Sequence, residues 1–243
     1  MLNYEKTEVK KSLSGTNICI AGNPKVGKTM FAANIRFDDG ATYFLATERG
    51  HDFLSVYGSK VEDWTSFEKL VDSLCTQKKD AKVKFTMAAI DVIDNLIGYA
   101  ESHVCMLNKV TKISDIPYGG GWTQSKKMLM NEFQALNNSG IGIVFITHAK
   151  DKELVKDSFK WTAVVTTMPT STEEKILGIC DFILYFHIDK NNKRSIRCNP
   201  TKYVLCAGDR SGLLPELVEV PLMKNKEYST DFFTKYFNEQ KGK

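Results

Sequence analysis

Short apolar runs recur along the chain, separated by longer stretches in which apolar and polar residues mix. The runs are Asn17–Ala21, Thr42–Ala46, Thr86–Ile90, Gly142–Thr147, Phe182–Ile188 and Tyr203–Ala207. Their length and β-branched or aromatic content predict buried strands. The stretches between them predict helices at Thr29–Ile35, Ser66–Thr76, Asn95–Leu107, Gly121–Asn137 and Thr172–Ile179. Strands alternating with helices imply right-handed crossovers. The expected fold class is therefore α/β, a mostly parallel twisted sheet flanked by helices. The last two strand candidates stand close together and read as a late antiparallel pair. Two stretches carry neither pattern. One is Ile113–Gly121, with Pro117 and three consecutive glycines. The other is Lys150–Ser171, polar at first and then rich in Thr and Val. Long unpatterned loops in a compact domain are usually functional or disordered.

Composition narrows this picture. The chain has 243 residues, 42% hydrophobic and 11% aromatic, which suffices for one large buried core. The expected division is an N-terminal arm at 1–16, a core at 17–225 and a tail at 226–243. No signal-peptide pattern and no apolar run near the ~20 residues of a membrane span is present. The expectation is a soluble, cytoplasmic protein with no membrane partner. Six scattered cysteines without a C-x-x-C pair read as buried thiols rather than a zinc site. The net charge of +4 does not by itself indicate nucleic acid. Lys6, Lys10 and Lys11, like Lys241 and Lys243, read as solvated terminal charge.

The sharpest chemical signal lies just after the first strand. Gly22-Asn23-Pro24-Lys25-Val26-Gly27-Lys28-Thr29 fits G-x-x-x-x-G-K-[ST] without a mismatch. It follows Ile18–Ala21 and runs into Met30–Ile35, the strand–loop–helix context this motif requires. Backbone N–H groups freed by the glycines turn onto phosphate oxygens. Lys28 supplies a point charge for the β- and γ-phosphates, and Thr29 offers a hydroxyl to Mg²⁺. The ligand set expected from this is ATP with Mg²⁺, held by residues 22–30.

Phosphoryl transfer also needs a carboxylate beside the metal and a group that orients water. Asp91 closes the strand Thr86–Ile90 and is the metal-side candidate. Asp94 lies one helical turn further and reads as a helix cap. Glu48 closes Thr42–Ala46; it polarises the attacking water or, alternatively, is a solvated turn residue. Thr147 and His148 close Gly142–Ile146, where a polar side chain senses the γ-phosphate, a structural histidine being the other reading.

In their order these segments resemble the ATPase core of RecA-type recombinases. The resemblance covers residues 17–220. It implies that Glu48, in Phe44-Leu45-Ala46-Thr47-Glu48, is the catalytic glutamate and that Asp91 is the Mg²⁺-side aspartate. It also implies that His148, in Phe145-Ile146-Thr147-His148, stands where the family usually has a glutamine sensor. Size, and the segment Gly208-Asp209-Arg210-Ser211-Gly212-Leu213-Leu214-Pro215, resemble the small RecA-core ATPases of bacteriophages that serve single-strand annealing and recombination. Related helicase cores carry a Lys-x-Arg pair that reaches a neighbouring subunit's nucleotide. Arg210 keeps the arginine, Gly208 replaces the lysine, and Lys202 is the substitute candidate. Arg210 is either a finger acting in trans, which implies a ring or filament, or a turn arginine paired with Asp209.

The resemblance further implies single-stranded DNA as partner, bound by two loops at Ile113–Gly121 and Lys150–Ser171. Lys150, Lys152, Lys156 and Lys160 suit phosphates, and Trp122, Phe159 and Trp161 suit base stacking. Asp151, Glu153 and Asp157 interleave with the lysines and weaken that field. The implied activity is DNA-stimulated ATP hydrolysis by a homo-oligomer, ordering the loop after His148, beside a single-strand-binding protein. The alternatives are a DNA-binding scaffold with nucleotide as a clamp, a helicase or loader motor, and a nucleotide switch without nucleic acid.

Overall fold

A computed structural model describes residues 13–35, 40–77 and 82–220; most of the N-terminal arm and the whole tail at 226–243, with their lysines, lie outside the described residues. The elements follow in the order β1 (Ile18–Gly22), α1 (Lys28–Asn34), β2 (Ala41–Ala46), β3 (Tyr57–Lys60), α2 (Trp64–Cys75) and β4 (Phe85–Asp91). Next come α3 (Ile93–Leu107), α4 (Gly120–Asn138), β5 (Gly142–Lys156), β6 (Phe159–Thr166) and α5 (Thr170–Ile179). The chain continues with β7 (Phe182–Ile188), β8 (Arg194–Arg197), β9 (Gly208–Asp209) and β10 (Leu217–Glu219). The fold is α/β, with a mostly parallel sheet and a late antiparallel pair, as expected of a P-loop NTPase domain.

The sheet order is β10-β8-β7-β1-β5-β4-β2-β3, with β6 added to β5 and β9 to β7. β1 lies inside, parallel to β5 on one side and to β7 on the other. Its five residues are all buried, which is why they form an unbroken apolar run. Period two sorts the strands into two layers. Ile18, Ile20, Val144, Ile146, Met87 and Ala89 join Phe31 and Ala32 of α1 in one core. Cys19, Ile143, Phe145, Ala88 and Ile90 face a second core built by α2, α3, α4 and α5.

The helices form where local chemistry supports that packing. The Asp63 carboxylate caps α2 by accepting the Ser66 N–H at 2.7 Å, and the Asp63 N–H donates in return to the Ser66 hydroxyl oxygen at 3.1 Å. The cap hydrogen bonds hold the Asp63 carboxyl below its ordinary range. Trp64, Phe67, Val71 and Leu74 then recur on one buried face.

Parallel alignment decides what meets at the sheet's C-terminal edge. Gly22 stands opposite His148, Ala46 opposite Asp91, and Asp91 opposite Ile146. Three strand ends that are distant in sequence thus share one rim.

Four sequence expectations need correction. Lys150–Ser171 is not a loop. β5 continues past Thr147 to Lys156, turns through Asp157 and Ser158, both with positive φ, and returns as β6. That is a two-residue hairpin turn. The alternating lysines and acids are the period-two signature of a ribbon with two solvated faces, so apolar content did not mark it. Ile113–Gly121 forms two 3-10 turns, Ile113–Asp115 and Pro117–Gly119, before α4 begins. Tyr118 is fully exposed there at φ 56°. The antiparallel partner of β7 is β8, not Tyr203–Ala207. Asp189 Oδ1 accepts the Asn191 and Lys193 N–H groups, which tightens the turn between β7 and β8. Tyr203–Ala207 has no strand of its own; Val204 makes isolated bridges to Val164 and Thr201. The short strands β3, β9 and β10 also carry too few apolar residues to be seen from sequence.

Candidate active site

The loop after β1 folds because two of its residues take positive φ, Lys25 at 65° and Gly27 at 108°. The second value strains any side-chain-bearing residue, which explains a glycine immediately before Lys28. Val26 is buried in the core below and pins the loop, while Asn23, Pro24 and Lys25 face solvent. Lys28 opens α1 with only 6% exposure. Its Nζ donates to Gly22 O at 2.9 Å and Asn23 O at 3.0 Å, and lies 3.3 Å from His148 Nδ1. An ammonium donates, so Nδ1 of His148 is the acceptor in that contact. Burial lowers the Lys28 pKa, and Asp91, Glu48 and Asp94 oppose the shift.

Thr29 Oγ1 donates to Asp91 Oδ2 at 2.8 Å. Asp91 is fully buried, and its other oxygen, Oδ1, has no hydrogen-bond partner. Burial pushes its carboxyl up to about 6; the Thr29 bond lowers it, Glu48 raises it and Lys28 lowers it. The peptide from Asp91 to Val92 is cis. Thr47 grips that turn: its hydroxyl donates to Val92 O at 2.9 Å and accepts from Val92 N at 2.8 Å. The same grip brings Glu48 N to 3.3 Å from Asp91 O.

These residues line one cavity of about 490 Å³, shared by Pro24, Lys25, Gly27, Lys28, Thr29, Met30, Glu48, Asp91 and His148. Glu48 therefore faces the same space as the phosphate loop. Gly50 folds over the Thr29–Asp91 pair. A Cβ placed on it would lie 3.1 Å from Asp91 Oδ2 and 3.2 Å from Thr29 Oγ1. An unsatisfied buried carboxylate oxygen, a hydroxyl beside it and space kept free by a glycine fit Mg²⁺, a hard cation that takes oxygen ligands. Among the described residues no cluster of three or more His, Cys, Asp or Glu is arranged to hold a metal. A cation here would be completed by phosphate oxygens and water rather than by a protein cage.

Phe53 and Leu54 also line the cavity, and Phe53 is 97% exposed. Sequence reasoning missed both, as well as Gly50. The available signal was one aromatic residue in the polar loop that follows Glu48.

Four expected residues are placed elsewhere. Thr147 turns away from the cavity, because His148 takes the inward position of the alternation. Its hydroxyl donates to Asp94 Oδ2 at 2.8 Å. Asp94 makes no helix cap; its second oxygen accepts the Thr167 hydroxyl. Arg210 lies beyond the opposite end of the sheet. Its neighbour Asp209 pairs with Phe182, and Phe182 pairs with Ile18, four strand residues below Gly22, or about 13 Å. Arg210 Nη1 donates to Asp181 Oδ1 at 3.0 Å and Nη2 to Gly178 O at 2.9 Å, so its ion partner is Asp181, not Asp209. Lys202 places its Nζ 4.7 Å from the centre of the Tyr203 ring, and its carbonyl accepts Trp161 Nε1. Neither residue enters this chain's cavity.

Among the described residues no helix is long and apolar enough to cross a membrane. Residues 14–211 match a family model described as an AAA domain. No curated protein matches the chain.

Proposed function

Because that match covers most of the chain, which therefore belongs to the AAA domain family of P-loop ATPases, we propose that it hydrolyses ATP with Mg²⁺ in a RecA-like manner and binds single-stranded DNA, promoting annealing or strand pairing in phage recombination. The observation that carries this reading is the position of His148. It touches Lys28 on one side, and the ribbon of β5 and β6 begins with the next residue.

Lys28 and the loop amides hold the triphosphate. Thr29 and Asp91 would hold Mg²⁺, which neutralises phosphate charge when bound. Glu48 orients the attacking water and accepts its proton as the γ-phosphoryl leaves. His148, whose Nδ1 accepts from Lys28, carries its proton on Nε2 and donates it to the γ-phosphate from there. Phe53 offers a ring face to the base.

The ribbon supplies a nucleic-acid surface that the linear sequence conceals. Directly paired residues share a face. Lys150, Lys152, Leu154 and Lys156 therefore stand with Val165, Ala163, Trp161 and Phe159. Asp151 and Glu153 stand on the other face, where Lys160 pairs with Glu153 at 3.3 Å. Strand alternation thus separates the interleaved charges. Three exposed lysines share one side with Phe159, 67% exposed, and Trp161, whose ring centres lie 6.2 Å apart. Lysines beside stacking aromatics suit a single strand of any sequence. The ribbon has its own cross-strand ladder, so nucleotide steers it at its root rather than ordering it from a loop.

Homo-oligomers, with Arg210 acting in trans, belong to this reading. The deciding experiment is ATP turnover with and without single-stranded oligonucleotide, with particle mass measured in parallel. Stimulated turnover by an oligomer is expected. Turnover by a DNA-indifferent monomer would leave a plain nucleotide switch. Annealing that survives Lys28→Ala would leave a DNA-binding scaffold.

A further inference from the structure

We propose that Asp94 is a positioning residue that makes the setting of the β5–β6 ribbon follow the occupancy of the nucleotide cavity. The inference rests on the reading above that this cavity takes ATP.

Asp94 lies in the first turn of α3, three residues after Asp91. A carboxylate there ordinarily serves the free N–H groups of its own helix. Asp94 does not: the start of α3 has no side-chain cap. Both of its oxygens go to the ribbon instead. Oδ2 accepts the Thr147 hydroxyl at 2.8 Å, and Oδ1 accepts the Thr167 hydroxyl. Thr147 is the last residue of β5 before His148, and Thr167 is the first residue after β6. One carboxylate therefore holds both roots of the ribbon.

The roots are tied to each other as well. The Thr167 N–H donates to His148 O at 3.0 Å, and its hydroxyl lies 3.2 Å from the same oxygen. Thr166, one residue earlier, gives its N–H and hydroxyl to Glu173 Oε1 in the first turn of α5. Glu173 anchors the ribbon to a helix that has no residue in the cavity. Asp94 anchors it to the helix that starts at the metal-side strand end.

A closed circuit of contacts results. Thr29 bonds Asp91; Asp91 leads through Val92 and Ile93, where β4 passes into α3, to Asp94; Asp94 bonds Thr147 and Thr167; these flank His148; and His148 contacts Lys28, next to Thr29. Phosphates that draw Lys28 away from His148 open the circuit on one side. The Asp94 side then decides whether the root of the ribbon shifts as a unit with the strand end or springs free of it. Two discrete arrangements of such a root form the kind of bistable element through which a site conveys its state.

The test uses the full chain with Mg²⁺ and a non-hydrolysable ATP analogue. Nucleotide affinity is read by calorimetry, and the ribbon by amide hydrogen exchange over residues 149–166. In the wild type, nucleotide is expected to change exchange in the ribbon about fivefold, the lower end of ordinary coupling between sites. Asp94→Asn and Thr167→Val are expected to bind nucleotide within about threefold of wild type and to hold that change below about twofold, while Thr167→Ser restores it. A purely structural role would raise exchange with and without nucleotide alike and leave the ratio intact. Should Asp94→Asn fail to fold, Thr167→Val and its serine rescue decide. A wild-type ribbon indifferent to bound nucleotide, or variants that keep the full response, would overturn the proposal. A wild type that binds no nucleotide at all would overturn the ATPase reading, and this inference with it.

Discussion

The Thr29 hydroxyl reaches Asp91 Oδ2 at 2.8 Å, fastening the first turn of α1 to the end of β4 across the intervening strand β5. That bond compensates one oxygen of a fully buried carboxylate and leaves Oδ1 without a partner. A group so placed keeps its proton to higher pH than a free aspartate, here to about 6.

The sign of the consequence follows. The folded pKa of Asp91 lies above the value of 3.8 for a free carboxyl, so the native state holds more protons between the two. Stability from this group is complete below about pH 4 and is lost as pH rises to about 6, by at most about 3 kcal/mol. Asp91→Asn is expected to remove that decline and, in the presence of chelator, to raise stability at pH 7 by about 1–3 kcal/mol. Urea unfolding at pH 4 and pH 7 measures both. A variant less stable than wild type at pH 7 would show that the carboxylate is better compensated than its contacts indicate.

In the proposed mechanism Lys28 and Glu48 serve different steps, so their variants should separate. Lys28→Ala is expected to abolish nucleotide binding at ordinary concentrations, because it removes a buried cation that lines the cavity. Glu48→Gln keeps the size and loses the proton acceptor; it is expected to bind nucleotide normally and lose about 10²–10⁴-fold in turnover. Calorimetry paired with phosphate release distinguishes the two. Normal turnover by Glu48→Gln would remove Glu48 from the chemistry.

Gly50 tests the crowding over the Thr29–Asp91 pair. Its Cβ would come within 3.2 Å of both Asp91 Oδ2 and Thr29 Oγ1, whereas a Cβ on Gly98, inside α3, meets nothing within 4 Å. Gly50→Ala is expected to weaken Mg²⁺-dependent nucleotide binding about tenfold, through loss of space for an ion and its ligands. Gly98→Ala is expected to leave binding alone and to stabilise α3 by about 0.5–1 kcal/mol. Equal effects of the two substitutions on binding would argue against a cation at this position.

On the ribbon, substitutions should sort by face rather than by sequence neighbourhood. Lys152→Ala with Lys156→Ala is expected to lower single-stranded DNA affinity and to reduce the salt slope by about 1.4, near 0.7 per lost phosphate contact. Phe159→Ala is expected to cost about 1–3 kcal/mol of binding with little change in salt slope. Asp151→Asn and Glu153→Gln, on the opposite face, are expected to change affinity only slightly. Fluorescence anisotropy across a salt series reads all three. Equal effects from both faces would mean that the ribbon does not present one side to the strand.

Much of the molecule was legible before any coordinates. The apolar runs at Ile18, Thr42, Phe85 and Gly142 declare buried strands, because a strand covered on both faces has no polar position to spend. Gly22–Thr29 declares its loop, because a backbone that wraps phosphate needs glycine at a left-handed position and a lysine behind it. Glu48, Asp91 and His148 were nameable because chemistry at the rim of a parallel sheet sits at strand ends. Tertiary structure alone decided the rest. Which strand lies beside which brings Asp91 to Thr29 and His148 to Lys28. The same pairing carries Arg210 to Asp181, away from this cavity, and gives Asp94 to two threonines instead of its own helix. It also turned a stretch of alternating charge, which no apolar run marked as strand, into a ribbon with one basic aromatic side. Such partnerships join residues many positions apart, and no local preference records them; hydrogen-bond register across the sheet does.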